Sequence, residues 1–199
     1  MKHSNIISLL LFLILILSIS KSVGASDYLN DILRANTLYT EKRYAESIQA
    51  YELLIHEGAS NGYLHYNLGN AYIRMGKNGP AILNYIQAQK WIPRDENLAA
   101  NLKFAIQQTQ DKIEPPLPGT LNVLFFWVNN FNINELIYFS IAMNLVFWVI
   151  LTLWINFPFL NIARNVCLGV LLLSFVSIGV KIINESDMKL GVVLAENVD

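Results

Sequence analysis

The groups in this 199-residue chain that could catalyse or hold a metal are three histidines, one cysteine and scattered carboxylates. Their spacing serves neither purpose. His3, His56 and His65 are not paired with a carboxylate or a second histidine at metal-ligand spacing. Cys167 is the single cysteine and sits in an apolar run, so it can form no intramolecular disulfide or thiolate cluster and reads as a buried thiol. The chain has no glycine-rich phosphate loop, G-x-S-x-G or zincin pattern. No enzyme, cofactor or metal is therefore expected. What remains is recognition chemistry, carried by Asn36, Tyr39, Tyr63, Tyr66, Asn70 and Arg74. Amides bond a peptide backbone, and phenols offer apolar area with a polar tip. Tyr66, Asn70 and Arg74 stand at i, i+4, i+8 and form one stripe on a helix.

Helices must position these side chains. Asn61 to Asp95 reads as one helix-turn-helix unit. Leu68, Gly69 and Tyr72 lie on its first helix, which Gly76 breaks. Ala81, Tyr85 and Ala88 follow at i, i+4, i+7 on the second, which Pro93 ends. Gly69 and Ala81 are small where the two helices approach, while Tyr72 and Tyr85 are large and fill the space between neighbouring pairs. This pattern resembles the tetratricopeptide (TPR) repeat, with His65 where its consensus has Trp. One 34-residue period earlier, Tyr85 maps to Tyr51, Ala81 to Ser47, Asn70 to Asn36 and Gly69 to Ala35. Glu96 to Gln108, with Leu98, Leu102 and Ala105 on one face, reads as a capping helix.

The expected fold is all-α: a TPR solenoid of two repeats and a cap over residues 26–110. Roughly three or more repeats are usually needed for stability, so the array is expected to lean on a partner, a second copy or the membrane. The resemblance implies that first-helix positions line a concave groove. Those positions are Leu29, Ile32, Asn36, Tyr39 and Thr40, then Tyr63, Tyr66, Asn70, Ile73 and Arg74. Asn36 and Asn67 fit the asparagine positions of a two-carboxylate clamp, but its cationic positions hold Ile32, Asn97 and Asn101. Capture of acidic C-termini is therefore not expected.

Composition divides the chain. It is 54% hydrophobic and 15% charged, with net charge −1, which gives no support for nucleic-acid binding. Ser26 to Glu114 carries nine basic and ten acidic residues, whereas Pro115 to Asn184 has only Glu135, Arg164 and Lys181. Residues 1–25 read as a signal peptide or signal anchor: Lys2 and His3, an apolar run, then Val-Gly-Ala. Residues 111–119 form a proline-rich linker with Pro115, Pro116 and Pro118, and the aromatic-rich segment 120–132 is expected at the membrane interface. Residues 134–156 and 165–183 are expected to cross the membrane, joined by a cytoplasmic loop, 157–164, that contains Arg164. Asn144, Ser174 and Ser177 are expected to pack one span on the other, and Lys181 to snorkel to the headgroups. The TPR half then lies outside the inner membrane, together with the tail 184–199.

Domain order, the LHYNLGNAYIRMGKNGPAILNYIQAQ core, the proline linker and the ending GVVLAENVD together resemble the TPR protein of the Bacteroides aerotolerance operon family (BatE-like). The resemblance implies that GVVLAENVD begins a bacterial SH3-like barrel. It also implies partners of the von Willebrand-type membrane protein and MoxR-type ATPase kinds. A non-enzymatic scaffold that docks a partner protein follows, with homo-oligomers possible. Two other roles fit the same residues: an envelope assembly chaperone like the TPR subunits of cytochrome c maturation, and a targeting subunit of a cell-wall enzyme.

Overall fold

The computed structural model describes residues 28–109 and 120–187, and among these the chain is all-helical, without a strand. The leader at 1–25, the linker 111–119 and the strand expected at Leu190–Leu194 lie outside the described residues.

Five helices come first: α1 (Leu29–Thr40), α2 (Tyr44–His56), α3 (Gly62–Arg74), α4 (Asn78–Trp91) and α5 (Glu96–Gln107). Each packs on the next. α1 also touches α3, and α3 touches α5, so the odd-numbered helices share one side. Their boundaries recur at an interval of 34 residues. Asn61 caps α3 by accepting from Leu64 N at 2.8 Å, and Asp95 caps α5 by accepting from Leu98 N at 2.9 Å. Three helices end in the left-handed conformation, at Lys42 (φ 63°), Gly58 (φ 95°) and Gly76 (φ 71°). Behind each, the next amide reaches back to close the turn: Arg43 N to Leu38 O at 2.9 Å, Ala59 N to Leu54 O at 2.9 Å and Lys77 N to Tyr72 O at 3.0 Å.

The core of this half repeats in the same way. Ala35 and Gly69, Ser47 and Ala81, Tyr51 and Tyr85 occupy matching buried positions. A Cβ built on Gly69 would lie 2.6 Å from Cε1 of Tyr85, so the tyrosine ring rests directly on the glycine backbone. A side chain at this position would push the ring away.

The second half has a short helix, α6 (Thr120–Leu124), a 3-10 turn (Phe126–Asn130), and two long apolar helices, α7 (Ile133–Trp154) and α8 (Asn161–Asp187). Asn132 and Glu135 form a reciprocal capping box that starts α7. Its 22 residues rise about 33 Å, enough to cross a hydrocarbon core of about 30 Å. Only 11% and 33% of the most apolar windows of the two helices are buried. Their leucines, valines and phenylalanines therefore face outward, unlike those of a soluble core helix. Both helices are long and apolar enough to cross a membrane.

Several details differ from expectation. α8 begins at Asn161 and runs to Asp187, so the helix extends beyond residues 165–183 at both ends. The last turns hold because Lys181 pairs with Glu185 at i, i+4, and Asn184 donates to Asn122 Oδ1 at 2.5 Å. Lys181 is 5% exposed and lines a cavity together with Leu121 and Asn122 of α6 and Asn129 of the 3-10 turn. That segment folds onto α8, with Val128 fully buried against Leu136 and Val180. Asn144 Oδ1 is buried without a hydrogen-bond partner among the described residues, and Ser174 and Ser177 are buried. Ser174 and Ser177 return their hydroxyls to their own helix, at Leu171 O and Leu173 O. A serine can satisfy itself in this way, and the longer-reaching amide of Asn144 finds no donor on α8.

Candidate functional site

The side shared by α1, α3 and α5 carries amides and phenols locked to one another. Tyr51 donates to Asn36 Oδ1 at 2.5 Å, and Asn67 Nδ2 donates to the same oxygen at 3.1 Å. Thirty-four residues on, Tyr85 and Asn101 donate to Asn70 Oδ1 at 2.7 and 2.9 Å. Each asparagine oxygen thus ties together three helices. Burial pushes the Tyr51 phenol up to about 12 and raises that of Tyr85 as well, so both remain proton donors at neutral pH.

Above this locked layer lie the other residues expected in a groove. Asn101 Nδ2 also reaches the hydroxyl of Tyr66 at 3.1 Å, and the Tyr66 ring lies 6.0 Å from that of Tyr85. Arg74 Nε donates to the Tyr39 hydroxyl at 3.4 Å, which holds the guanidinium pKa above its ordinary value. Tyr39 in turn stacks edge-on against Tyr44. Tyr63 stands 61% exposed at the start of α3, and Arg74 is exposed at its other end. Tyr66 and Tyr39 are half-buried. Asn36 and Asn70 spend their carbonyl oxygens inside the protein, so the groups best placed to meet a partner are Tyr63, Arg74 and the hydroxyl edges of Tyr39 and Tyr66.

On the opposite side the histidine and carboxylate chemistry is structural. Tyr72 donates its hydroxyl to the Glu52 carboxylate. His65 Nδ1 meets Asn84 Oδ1 at 3.2 Å, and Asn84 is oriented by donating to Pro80 O at 2.9 Å. Desolvation holds the His65 pKa below its ordinary value, and nearby Lys90 adds to the effect. His56 is exposed at the end of α2.

A junction that the local pattern does not reveal connects the two halves. Arg94 donates to both oxygens of Glu135, at 2.5 and 3.1 Å, and to Asn130 O at 2.6 Å. Its guanidinium also covers the Phe131 ring at 5.2 Å. Asn132 Nδ2 donates to Trp91 O at 3.0 Å. The one signal in the sequence is that Arg94 follows a helix-ending proline while Glu135 is a lone acid in an apolar half.

No family model, curated protein or solved structure matches this chain.

Proposed function

We propose that this chain is a non-enzymatic scaffold of the bacterial inner membrane, anchored by α7 and α8, whose TPR-type array docks a partner protein on the periplasmic side. The observation that carries the reading is the repeated asparagine–tyrosine–asparagine lock on the side of α1, α3 and α5. It recurs at the 34-residue interval of TPR units, and it presents phenols and a guanidinium in fixed orientations. Preorganised tyrosine and arginine are the side chains that most often anchor protein interfaces. The resemblance to the aerotolerance operon TPR proteins suggests a von Willebrand-type membrane protein as partner, within an aerotolerance-type complex.

Two experiments test this. The first is crosslinking pull-down from membranes with the full chain as bait. Tyr63→Ala with Arg74→Ala should abolish recovery of a stoichiometric partner while helical circular dichroism persists; such truncations cost about 2 kcal/mol or more at a hot spot. Undiminished recovery moves the interface elsewhere. The second uses a reporter active only in the periplasm. It should be active when fused after Gln108 and silent after Pro158, and activity at Pro158 overturns the topology.

A further inference from the structure

A cavity of about 740 Å³ opens where α4, α6 and the last turns of α8 meet. Lys181 lines it, and its side chain is only 7% exposed. Among the described residues its one ion pair is to Glu185 Oε1 at 3.4 Å, and that oxygen is buried without a hydrogen bond. So loose a contact leaves donors of the ammonium available to a ligand, because a largely buried pair holds best when its remaining donors and lone pairs are met. Lys90 enters the same cavity from α4, so two ammonium groups face one carboxylate. The amides of Gln89, Asn122, Asn129 and Asn184 complete the polar wall. The lining of the chamber therefore carries one positive charge in excess and an array of neutral donors, while Glu135, whose carboxylate also acts on Lys181, is paired with Arg94.

A second space of about 470 Å³ runs along α8, lined by Val170, Leu173, Ser174 and Ser177 from that helix, by the rings of Trp127 and Phe139 facing them, and by Glu135, its one charged group, which Arg94 neutralises. Positions 170, 174, 177, 181 and 184 follow one another at intervals of three and four, so the apolar groove and the cationic chamber lie along one face of one helix. Leu121 and Ile183 add apolar surface to the chamber itself. An anion-seeking chamber continued by an apolar groove is complementary to an amphiphile with a negative head. A free anion would have no use for the groove.

We infer that this cavity binds the phosphate-bearing headgroup of a phospholipid, with Lys181 and Lys90 on the phosphate and an acyl chain along the groove below. The bound lipid joins α4 of the first half to α8 of the second, with Glu135 beside the acyl chain and held by Arg94. The inference rests on the membrane reading above, and that reading fails separately if alkaline carbonate extracts the chain from membranes.

The test is native mass spectrometry of the full chain in detergent, titrated with phosphatidylglycerol and, in parallel, with inorganic phosphate. The wild-type chain should retain one phosphatidylglycerol. Lys90→Gln should lower retention about tenfold, as expected for losing one hydrogen bond to a charged group. Lys181→Gln with Glu185→Gln removes both buried charges together and should do the same without stranding either. Arg164→Gln, at the far end of α8, should retain lipid like the wild type. Each variant is checked for wild-type helicity, and Lys90→Gln carries the test if the buried pair proves necessary for folding. The inference is overturned by wild-type retention in folded Lys90→Gln, or by a wild-type chain that holds no lipid. It is overturned equally if inorganic phosphate displaces the lipid, which would make the site one for a free anion.

Discussion

The hydroxyl of Tyr85 donates to Asn70 Oδ1 at 2.7 Å, across the 15 residues that separate them in sequence. Tyr51 and Asn36 repeat the relation 34 residues earlier. The bond explains why a tyrosine, rather than a phenylalanine, stands at a position that is 1% exposed. A buried phenol needs an acceptor, and the ring must lie flat on the neighbouring helix to reach it. Gly69 and, in the earlier copy, Ala35 leave the space for that ring. Small residue, aromatic ring and asparagine are thus one device, used twice.

The two copies differ at the turn between their helices, which makes a first prediction. Gly76 holds φ 71° without cost, while Lys42 holds φ 63° with a side chain attached. The left-handed conformation costs a non-glycine residue about 1–2 kcal/mol, and glycine loses back roughly 0.5–1 kcal/mol through its freer unfolded chain. Lys42→Gly should therefore stabilise the first half by about 0.5 kcal/mol, and Gly76→Lys should destabilise it by about 1 kcal/mol. Thermal unfolding of the full chain in detergent, followed by circular dichroism, reads both. Shifts of the same sign for the two substitutions would contradict the equivalence of the turns.

A second prediction concerns pH. Burial lowers the folded-state pKa of His65 below its unfolded value of about 6.5. The unfolded chain then binds more protons than the folded one between the two values, so stability rises with pH in that window. The contribution is present above pH 6.5 and is lost as the pH falls below it. His65→Gln keeps a donor toward Asn84 and removes the titration. Urea unfolding midpoints between pH 7.5 and 5 should slope downward toward acid for the wild-type chain and slope less for the variant. Identical slopes would place the pH sensitivity elsewhere.

The helices and the two apolar spans were legible because they rest on local signals: glycine and proline breaks, helical spacing and sustained apolar length. The candidate site was legible only in part. Register placed Asn36 and Asn70 on the side they occupy, but not the fact that their oxygens accept from Tyr51 and Tyr85. The recurrence of asparagine, tyrosine and asparagine at 36, 51, 67 and again at 70, 85, 101 was the available clue. The burial of Lys181 is not legible in its own helix, because Asn122 and Asn129 beside it come from some fifty to sixty positions earlier. Nor is the unpartnered Asn144 Oδ1 legible, for which α8 supplies no donor. The Arg94 junction is not legible because its partner lies 41 residues away. Contacts of that range leave no periodic trace.

That Arg94 junction supports the last prediction. Two hydrogen bonds to Glu135, one to Asn130 O and the cover over Phe131 fix the first half against the start of α7. The same Glu135 also accepts from Asn132 N, so the salt bridge grips a residue already immobilised by its cap. The pairing with Glu135 holds the Arg94 pKa above its ordinary value, and the pair stays charged at any physiological pH. Because Arg94 is 54% exposed, its weight in global stability is small and screened by salt. Its effect should be on orientation. Spin labels on Lys103→Cys and Tyr138→Cys, in a Cys167→Ser background, report the distance between α5 and α7 by pulsed electron paramagnetic resonance. Arg94→Ala should broaden that distribution, Glu135→Gln should broaden it less, and the double variant should add nothing to Arg94→Ala. Thermal midpoints should hardly move. An unbroadened distribution in Arg94→Ala would mean that Asn132, through Trp91 O, holds the halves by itself.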